Sequence, residues 1–526
     1  MPQHRPLGAQ ISHMLKDRGV DTIFGIPGVH NQEMYRGIEE AGITHILARH
    51  EQGAGFMADG YARAAGKPGV AYVITGPGLC NIMTPMGQAY SDSVPMLVIS
   101  SCLDEVAARK GQLHQMNDQR AAAATVCDWS EEAGTAQAAY TLIDRAFGEL
   151  ATGRPRPKHI QVPIGALEAT AAPHSAQPLP QARSVASKED IAQVVDLIDQ
   201  SEKPILILGG GAVGATEAIR SLLSRWTAAV FTTYAGRGIV PPSYEYLFGA
   251  ALARPDSAGV IGQADLVLAI GTEMAEVDLW RAELGHTAPL IRVDMDATSL
   301  CDAQDAALRL HCDAEAFVPA LDHEFTPRKT DWNASEIATT RARWRAEVDA
   351  ERPGIVPICD ALRDCLPDQT MIYSDMTQFA YVAKEVWDMD HPGHWHHPFG
   401  FGTLGYATPA AIGGAVARQG QPTMAIIGDY GFHYTMAELG VAVELKLPLP
   451  IILWDNGKLG EIEDSMVRAQ IAPNAVVARN PDFVKLAHAF GAYAKAPESL
   501  PDMQKAVRAA FDADGPTLIY LTSDVL

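Results

Sequence analysis

The chain has 526 residues, of which 63 are acidic and 41 basic, so its formal net charge is −22. With 47% hydrophobic and 20% charged residues, the composition excludes a disordered or fibrous chain and predicts a large globular protein of several domains. The acid excess argues against a nucleic-acid partner, because a phosphate backbone would meet a field of its own sign.

The cysteines and the first residues predict a cytoplasmic protein. The seven cysteines are odd in number, widely spread and without a C-x-x-C pair, which is typical of a reducing compartment. Residues 1–10 lack a charged region followed by an apolar one, and no apolar stretch is long enough to span a bilayer. We therefore expect neither export nor membrane insertion.

Short apolar runs alternate with helical patterns along the chain, which predicts an α/β protein. These runs are 70–74, 205–208, 266–270 and 451–453. Two segments of different composition, 167–189 and 324–354, are interpreted as connections between domains. The prediction is three doubly wound parallel-sheet domains over residues 1–170, 188–325 and 353–526.

The segment around Glu51 places a carboxyl group at a predicted strand-to-helix junction. Glu51 follows the strand-like run 46–48 and precedes the small and apolar residues 53–57. A carboxyl group in that setting can exchange a proton with a ring nitrogen. The alternative is a first-turn glutamate that the helix dipole favours without any catalytic role.

A glycine-rich segment follows at 399–411. Gly400, Gly402 and Gly405 leave the backbone open to close approach, and Leu404 stands among them as an isolated bulky apolar group. Leu404 could support a bent ligand, or the segment could be a tight strand-to-helix connection.

The strongest pattern is Gly428-Asp429 after an apolar run, with Asn456 placed 27 residues after Asp429 at the end of the next predicted strand. The carboxyl edge of a parallel sheet, where ligands bind in α/β proteins, would then carry a carboxylate and an amide oxygen. Such oxygens suit Mg²⁺, and the following helix would direct its amino end at a phosphate. A helix cap at Asp429 and a loop turn at Asn456 are the alternative.

Taken together, these motifs resemble the thiamine diphosphate-dependent 2-oxo acid enzymes, the family that contains acetolactate synthase, pyruvate decarboxylase and benzoylformate decarboxylase. They stand in the family's order, beginning with Gly-Ile-Pro-Gly at 25–28. The resemblance covers essentially the whole chain. It implies pyrimidine-binding, central and diphosphate-binding domains, with thiamine diphosphate and Mg²⁺ as cofactors. The amino-acid sequence of segments 25–31, 51–69 and 74–81 is most similar to the 2-ketoarginine (5-guanidino-2-oxopentanoate) decarboxylase branch.

The resemblance implies a role for individual positions. Glu51 resembles the glutamate that hydrogen-bonds N1′ of the aminopyrimidine, Leu404 the apolar support of the bent cofactor, and Gly402 the carbonyl acceptor of its 4′-amino group. The implied metal ligands are Asp429, Asn456 and the carbonyl of Lys458. The other implied cofactor contacts are Pro27, Gly28, Thr377, Gln378, Gly428, Tyr430 and Gly431.

Two features differ from the family pattern or match it weakly. Tyr430 stands where the family usually has glycine, and its side chain could narrow the approach of the diphosphate; we interpret it as a mark of a subfamily, since Gly431 can supply flexibility. Residues 209–214 match G-x-G-x-x-G, but no acidic ribose partner stands near position 230. We therefore do not expect bound FAD.

His114 and Gln115 fall near the place where acetolactate synthases carry a Gln-Glu pair, and we predict both to be catalytic. An imidazole at position 114 could relay a proton to the carbon that loses CO₂, because it titrates near neutral pH. Most of the 17 histidines must nevertheless be structural or exposed, including the cluster at 391–397, for which we predict no transition metal.

The predicted reaction is non-oxidative decarboxylation of a 2-oxo acid to an aldehyde, with 5-guanidino-2-oxopentanoate as the lead substrate. Glu461, Glu463 and Asp464 could pair with its guanidinium, or they could form a solvated helix start. Carboligation of the acetolactate synthase kind and a non-catalytic cofactor-binding relative are the alternatives. Because the family's sites combine two subunits, the resemblance also implies a homodimer or homotetramer.

Overall fold

The computed structural model describes residues 3–174, 178–179 and 183–525, which cluster into two compact units. The first unit contains the described residues of 1–181 together with 365–377 and 397–525. The second contains those of 182–364 and 378–396. Part of the predicted connection 167–189, at 175–177 and 180–182, lies outside the described residues.

The first sheet belongs to the first unit. Its strands are β2 (Thr22–Gly25), β3 (Thr44–Leu47), β4 (Gly69–Val73), β5 (Met96–Cys102), β6 (Trp129–Glu132) and β7 (Lys158–Pro163), while β1 (Arg5–Pro6) and β8 (Thr170–Ala171) form a small antiparallel ladder. The helices are α1 (Leu7–Asp17), α2 (Gln32–Glu40), α3 (Glu51–Ala65), α4 (Pro77–Ser91), α5 (Gln119–Ala123), α6 (Ala136–Thr152) and α7 (Ile164–Glu168). The strand order is β3-β2-β4-β5-β7-β6, and all pairings are parallel.

The central sheet belongs to the second unit. Its strands are β9 (Pro204–Leu208), β10 (Ala229–Thr232), β11 (Leu247–Gly249), β12 (Leu266–Ile270), β13 (Leu290–Asp294) and β14 (Leu308–His311), parallel in the order β11-β10-β9-β12-β13-β14. The helices are α8 (Lys188–Asp199), a 3-10 helix (Gly210–Ala215), α9 (Thr216–Leu223), α10 (Ser257–Ile261), α11 (Glu276–Leu279), α12 (Ala297–Leu300) and α13 (Ala314–Glu324).

The segment 324–354, predicted as a connection, contains the helix α14 (Ala334–Glu351). Ile337, Trp344 and Val348 are buried along one side of α14, and Trp344 lies against Phe248 with a ring separation of 5.8 Å. The sequence interpretation missed this helix because its buried stripe is narrow and the rest of its surface is charged.

The third sheet has strands β15 (Met371–Ser374), β16 (Trp395–His396), β17 (Thr423–Gly428), β18 (Pro450–Trp454), β19 (Tyr493–Lys495) and β20 (Thr517–Leu521). Five of them pair in parallel in the order β15-β17-β18-β20-β19. The helices are α15 (Ile355–Arg363), α16 (Gln378–Val386), α17 (Ala407–Arg418), α18 (Asp429–Thr435), α19 (Leu439–Glu444), α20 (Gly460–Arg468), α21 (Phe483–Phe490) and α22 (Leu500–Phe511), with 3-10 helices at Met436–Glu438 and Ser523–Val525.

The predicted fold class, α/β with three doubly wound parallel-sheet domains, is confirmed by these three six-stranded sheets. The domain bounds 1–170, 188–325 and 353–526 stay a prediction. Within the described ranges no helix is both long and apolar enough to cross a membrane.

Helices α3 and α17 pack at unusually close range within the first unit. A Cβ atom at Gly60 would lie 1.9 Å from the carbonyl oxygen of Ala410, and one at Gly413 would lie 1.9 Å from that of Met57. Glycine at both positions therefore allows backbone-to-backbone contact. The Tyr406 hydroxyl donates to Asp59 at 2.8 Å and adds a buried polar link. The start of α3 and the loop before α17 are thus held on one rigid framework.

Candidate active site

Glu51 is the first residue of α3, and its side chain is 9% exposed. The amide of Asn81, on α4, donates to Glu51 Oε2 at 2.9 Å. A Cβ at Gly78 would come within 3.4 Å of Glu51 Oε1, so the glycine keeps the approach to that oxygen open. The arrangement holds a buried carboxyl group by one oxygen and leaves the other available for proton exchange.

His30 and His114 lie close together at the same edge of the first sheet. Their ring centroids are 5.0 Å apart in an edge-to-face arrangement. The Nδ1 atoms of both rings are buried and have no hydrogen-bond partner among the described residues. Burial, with a smaller contribution from the neighbouring His114, lowers the pKa of His30 below its ordinary value. Two unpartnered imidazole nitrogens side by side are suited to holding a single mobile proton.

The loop that carries His114 contacts the segment before α4, the helix that carries Asn81, the hydrogen-bond partner of Glu51. His114 has a φ of +62°, which is uncommon for a residue other than glycine, and its carbonyl oxygen is 2.4 Å from where a Cβ at Gly76 would be. Gly76 immediately precedes α4, which carries Asn81. On the other side, a Cβ at Gly28 would collide with Ile74, and the Gly28 N–H donates to the Asn31 side chain at 2.8 Å. Pro27, beside Gly28, is exposed.

The Gln115 side chain forms hydrogen bonds within its own loop. Its side-chain NH₂ group donates to the carbonyls of Val106 and Arg109 at 3.1 and 2.9 Å, and its Oε1 accepts from the Gln112 N–H at 3.2 Å. These contacts order the loop that presents His114. A catalytic role for Gln115 itself stays a prediction.

Asp375, at the end of β15, organises the glycine-rich loop before α17. Its buried carboxylate accepts from the N–H groups of Met376 at 2.8 Å, Gly405 at 3.2 Å and Ala407 at 3.0 Å. Burial raises the pKa of Asp375 to about 6, although these bonds act in the opposite direction. Gly402 and Gly405 have φ values of +66° and +88°, so the loop needs glycine at both positions. The loop presents Leu404 half-buried and the Gly402 backbone exposed.

Asp429 and Asn456 follow neighbouring parallel strands, as predicted. Gly428 at the end of β17 pairs with Trp454 at the end of β18. Asp429 is 3% exposed, and the Lys458 N–H donates to the Asn456 side chain at 3.2 Å. Burial, reinforced by a nearby carboxylate, raises the pKa of Asp429.

That nearby carboxylate is Asp455, and one amide bridges the two acids. Asn480 Nδ2 donates to Asp429 Oδ2 at 2.7 Å and to Asp455 Oδ1 at 2.9 Å. The Tyr520 hydroxyl donates to Asp455 Oδ2 at 2.9 Å. Two partly buried carboxylates held together by neutral donors make a site of negative potential that a cation would stabilise.

Four of the remaining predicted contacts belong to the first unit: Thr377, Gly428, Tyr430 and Gly431. Thr377 is buried, and its Oγ1 is 3.0 Å from where a Cβ at Gly428 would be, while a Cβ at Gly431 would be 2.9 Å from Asp375. Tyr430 is half-buried in the first turn of α18. Gln378 begins α16, which belongs to the second unit.

Three acidic residues that follow Asn456 lie in or near the first turn of α20. Glu463 is half-buried and forms an ion pair with Lys458, Glu461 is half-buried, and Asp464 is exposed. Glu463 therefore already has a cationic partner within the chain. Glu461 is half-buried and lies in the first turn of the helix.

Several residues of both clusters escaped the sequence interpretation. Asn81 lay inside a motif at 74–81, and Asp455 directly precedes Asn456, so both were within reach of motif reasoning. His30 lies in the segment 25–31, but nothing in the sequence indicates that it contacts His114. Asn480 gave no signal, because it lies outside any helix or strand and reaches Asp429 only through the tertiary fold.

The donor set fits thiamine diphosphate with Mg²⁺. Asp429 and Asn456 offer hard oxygens at adjacent strand ends, the Lys458 carbonyl follows them, and α18 begins at the same edge. The buried carboxyl group of Glu51 lies beside Gly78, where the absence of a side chain leaves room for a ring nitrogen to approach. In the described part of the chain no group of three or more His, Cys, Asp or Glu side chains is arranged to hold a metal ion. The predicted set is of another composition, one carboxylate with an amide and a main-chain oxygen.

A cavity of about 180 Å³ lies in the second unit. It is lined by Phe248, Arg254, Arg341, Trp344, Glu385 and Asp388, among others. Arg254 forms ion pairs with Glu351 at 2.7 Å and Glu385 at 3.4 Å, so charge is largely balanced within its wall. We assign it no role in the chemistry.

Three domain models of one protein family match this chain. Residues 5–122 match the N-terminal TPP binding domain of thiamine pyrophosphate enzymes, 191–321 their central domain, and 375–521 their C-terminal TPP binding domain. Glu51, Asn81 and His114 fall in the first match, and Asp429, Asn456 and Asn480 in the third.

Three relatives illustrate the range of similarity. A probable 2-ketoarginine decarboxylase of Pseudomonas aeruginosa is 42% identical over 98% of this chain and 93% of its own length. The acetolactate synthase isozyme 2 large subunit of Escherichia coli is 27% identical over 99% and 96%. The mitochondrial acetolactate synthase catalytic subunit of Saccharomyces cerevisiae is 26% identical over 98% and 80%. With matches to all three domains and a full-length relative at this identity, the predicted resemblance is confirmed, and the chain belongs to the thiamine pyrophosphate (thiamine diphosphate) enzyme family.

Proposed function

We propose that this thiamine diphosphate enzyme catalyses the Mg²⁺-dependent, non-oxidative decarboxylation of 5-guanidino-2-oxopentanoate (2-ketoarginine) to 4-guanidinobutanal. The observation that carries the proposal is the 42% identity, over nearly the whole of both chains, to a probable 2-ketoarginine decarboxylase. The acidic start of α20 supports it independently, because a guanidinium needs carboxylate partners.

The reaction consumes one proton for each CO₂ released: the 2-oxo carboxylate loses CO₂ and the former carbonyl carbon gains a proton. Thiamine diphosphate supplies a nucleophilic carbon and an acceptor for the electron pair left by CO₂. The residues of this chain must hold the cofactor, exchange a proton with it, and deliver a proton to the product carbon.

Glu51 is the residue proposed to exchange a proton with N1′ of the aminopyrimidine. Asn81 fixes Oε2 at 2.9 Å and so orients the carboxyl group. The loop that Asp375 organises presents both Leu404 and Gly402. Leu404 is proposed to support the bent cofactor, and the Gly402 carbonyl to accept a hydrogen bond from its 4′-amino group. Asp429, Asn456 and the Lys458 carbonyl would hold Mg²⁺, and Gly428, Tyr430, Gly431, Thr377 and Gln378 would surround the diphosphate.

The His30–His114 pair is the proposed source of the product proton. Burial, and to a smaller extent the His114 ring 5.0 Å away, lower the pKa of His30 and so disfavour a charge on its imidazole. The Nδ1 atoms of both rings have no hydrogen-bond partner among the described residues. A proton on either Nδ1 atom would therefore be free to move to the product carbon. The lowered pKa of His30 also disfavours a positive charge that would repel the guanidinium of the substrate.

Substrate choice is proposed to depend on Glu461. Glutamine at this position should raise KM for 2-ketoarginine by about tenfold or more, the loss expected for a charge-assisted bond in a partly buried site. The analogue 2-oxohexanoate, whose side chain carries no charge, should show little change. Asp464→Asn is the matched control, because Asp464 lies on the same helix but is exposed. Equal KM increases for both substrates would remove the guanidinium contact.

The deciding experiment is a CO₂-release panel with pyruvate, benzoylformate, branched 2-oxo acids and 2-ketoarginine, combined with identification of the products. We expect 2-ketoarginine to have the highest kcat/KM and to yield 4-guanidinobutanal. Preferred turnover of pyruvate to acetolactate would instead establish the second candidate, carboligation. That candidate has support in the full-length acetolactate synthase relatives at 25–28% identity.

The assembly is proposed to be a homodimer or homotetramer with the pyrimidine side of one subunit completing the diphosphate side of another. The exposed apolar side chains Val29 (61%), Leu113 (61%) and Tyr434 (58%) border the two clusters and fit a buried interface. Sedimentation with cofactor and Mg²⁺ tests this, and an active monomer would refute it.

A further inference from the structure

Glu438 is a buried carboxyl group that the chemistry above does not use. It lies in the 3-10 helix Met436–Glu438, between α18 and α19, and is 1% exposed. A buried charge is costly unless it is fully paired, and replacement by apolar groups commonly stabilises a fold. Stability alone therefore does not explain a carboxyl group at this buried position.

The partners of Glu438 are the two residues that precede Glu51. Glu438 Oε1 accepts from the His50 N–H at 2.9 Å, and the Arg49 N–H donates to both carboxylate oxygens at 3.1 Å. The amino end of α3 adds a favourable field, because the helix dipole is positive there. The carboxylate thus fixes the backbone from which Glu51 projects.

Gly53 makes room for this contact. A Cβ at position 53 would lie 2.1 Å from Glu438 Oε1 and 2.3 Å from its Cδ, distances at which the carboxyl group would have to move. The first turn of α3 and the carboxyl group are therefore fitted to each other. Burial raises the pKa of Glu438 to about 7, because it disfavours the charged form. The N–H groups of Arg49 and His50 act in the opposite direction.

We propose that Glu438 is a positioning residue for Glu51: it anchors residues 49–50 to the segment that follows the Asp429 helix, and so sets the carboxyl group of Glu51 against the cofactor. It touches neither substrate nor cofactor. The inference rests on the proposed role of Glu51 but not on the identity of the substrate.

The test measures exchange of the cofactor's thiazolium C2 proton with D₂O in the holoenzyme, by rapid quench and NMR, alongside thiamine diphosphate affinity and thermal stability. Glu438→Gln keeps the shape and loses the charge, and should slow exchange by about tenfold or more, the cost of weakening charge-assisted hydrogen bonds. Cofactor affinity should change by less than about threefold, since the diphosphate side is untouched. Glu444→Gln, which removes an exposed partner of the Arg49 side chain, is the matched control and should exchange normally.

Gly53→Ala provides a second route, because its Cβ displaces the carboxyl group while the charge stays. It should slow exchange, and the double variant Gly53→Ala/Glu438→Gln should be no slower than the slower of the two single variants, since both substitutions act through one contact. Additive losses, normal exchange in Glu438→Gln, or a loss of exchange matched by an equal loss of cofactor affinity would overturn the proposal. Normal exchange in Glu51→Gln would instead overturn the role of Glu51.

Discussion

Replacing Glu51 by glutamine is the most direct test of the proposed chemistry. Glutamine has the same shape, and its amide oxygen can keep the 2.9 Å hydrogen bond that Asn81 donates. The fold and the cofactor pocket should therefore be preserved. What is lost is the capacity to bind and release a proton, since an amide does not titrate near neutral pH.

The size of the effect follows from that loss. A positioned acid–base group contributes about 10²- to 10⁴-fold, so turnover should fall by that factor, which equals about 2.7–5.5 kcal/mol in the barrier. Cofactor affinity should fall by no more than about tenfold, because one charge-assisted hydrogen bond becomes a neutral one. Asn81→Leu should give a smaller loss, about 10-fold, by releasing the carboxyl group without removing it.

The assay is CO₂ release with saturating cofactor, paired with calorimetric titration of thiamine diphosphate and Mg²⁺ into each apo variant. Turnover of Glu51→Gln within about threefold of the parent would refute the acid–base role. A large loss of affinity with preserved turnover at saturation would show instead that Glu51 only binds the cofactor.

Three further outcomes are expected. Asp429→Ala should abolish Mg²⁺-dependent cofactor binding in the same titration, because too few protein oxygens would remain for the metal. His30→Phe and His114→Phe should each lower turnover about 10²-fold, and the double variant should be no worse than the poorer single variant if the two rings act as one unit. His159, fully buried between the hydroxyls of Ser100 and Ser130, has its pKa lowered to about 3 by burial. Below pH 6.5 the unfolded chain binds a proton that folded His159 does not, so the free energy of unfolding should decrease by about 1.4 kcal/mol for each pH unit between 6.5 and 3. Denaturant titrations of His159→Gln should show a shallower decrease, and an identical slope would contradict this account.

The sequence predicted the placement of Asp429 and Asn456 because strand ends follow from short-range patterns. Two apolar runs joined by a helix-length stretch imply neighbouring parallel strands, and residues just after them then meet at one edge. The pairing of Gly428 with Trp454 has this cause. Asn480 could not be found in this way, since it reaches Asp429 from an irregular segment 51 residues away.

The Glu438 contact lies further still beyond sequence reasoning. Its carboxylate bonds to backbone N–H groups 388 and 389 residues away, and main-chain donors leave no pattern of side chains to recognise. The same limit applies to Gly53, whose need for glycine comes from a partner in a distant part of the chain.

The glycine-rich segment 209–214 shows why a motif can be present for reasons of packing. A Cβ at Gly209 would be 2.1 Å from the carbonyl oxygen of Gly271, and one at Gly214 would be 1.9 Å from Glu315 Oε1. Both glycines are therefore explained by the contact of the 3-10 helix with its neighbours. The match to G-x-G-x-x-G carries no further information about a nucleotide.

Net charge bears on the choice between the two candidate reactions. The chain carries a formal charge of −22, so its field opposes the approach of anions at low ionic strength. Pyruvate is an anion, whereas 2-ketoarginine combines a carboxylate with a guanidinium and has no net charge. The diphosphate of the cofactor would be held against this field by Mg²⁺ at the proposed site of Asp429 and Asn456, an interaction that a small 2-oxo acid does not share. A zwitterion can turn its guanidinium toward the acidic start of α20 and its carboxylate toward the reacting centre, so the charge of the whole chain favours the guanidino substrate over pyruvate.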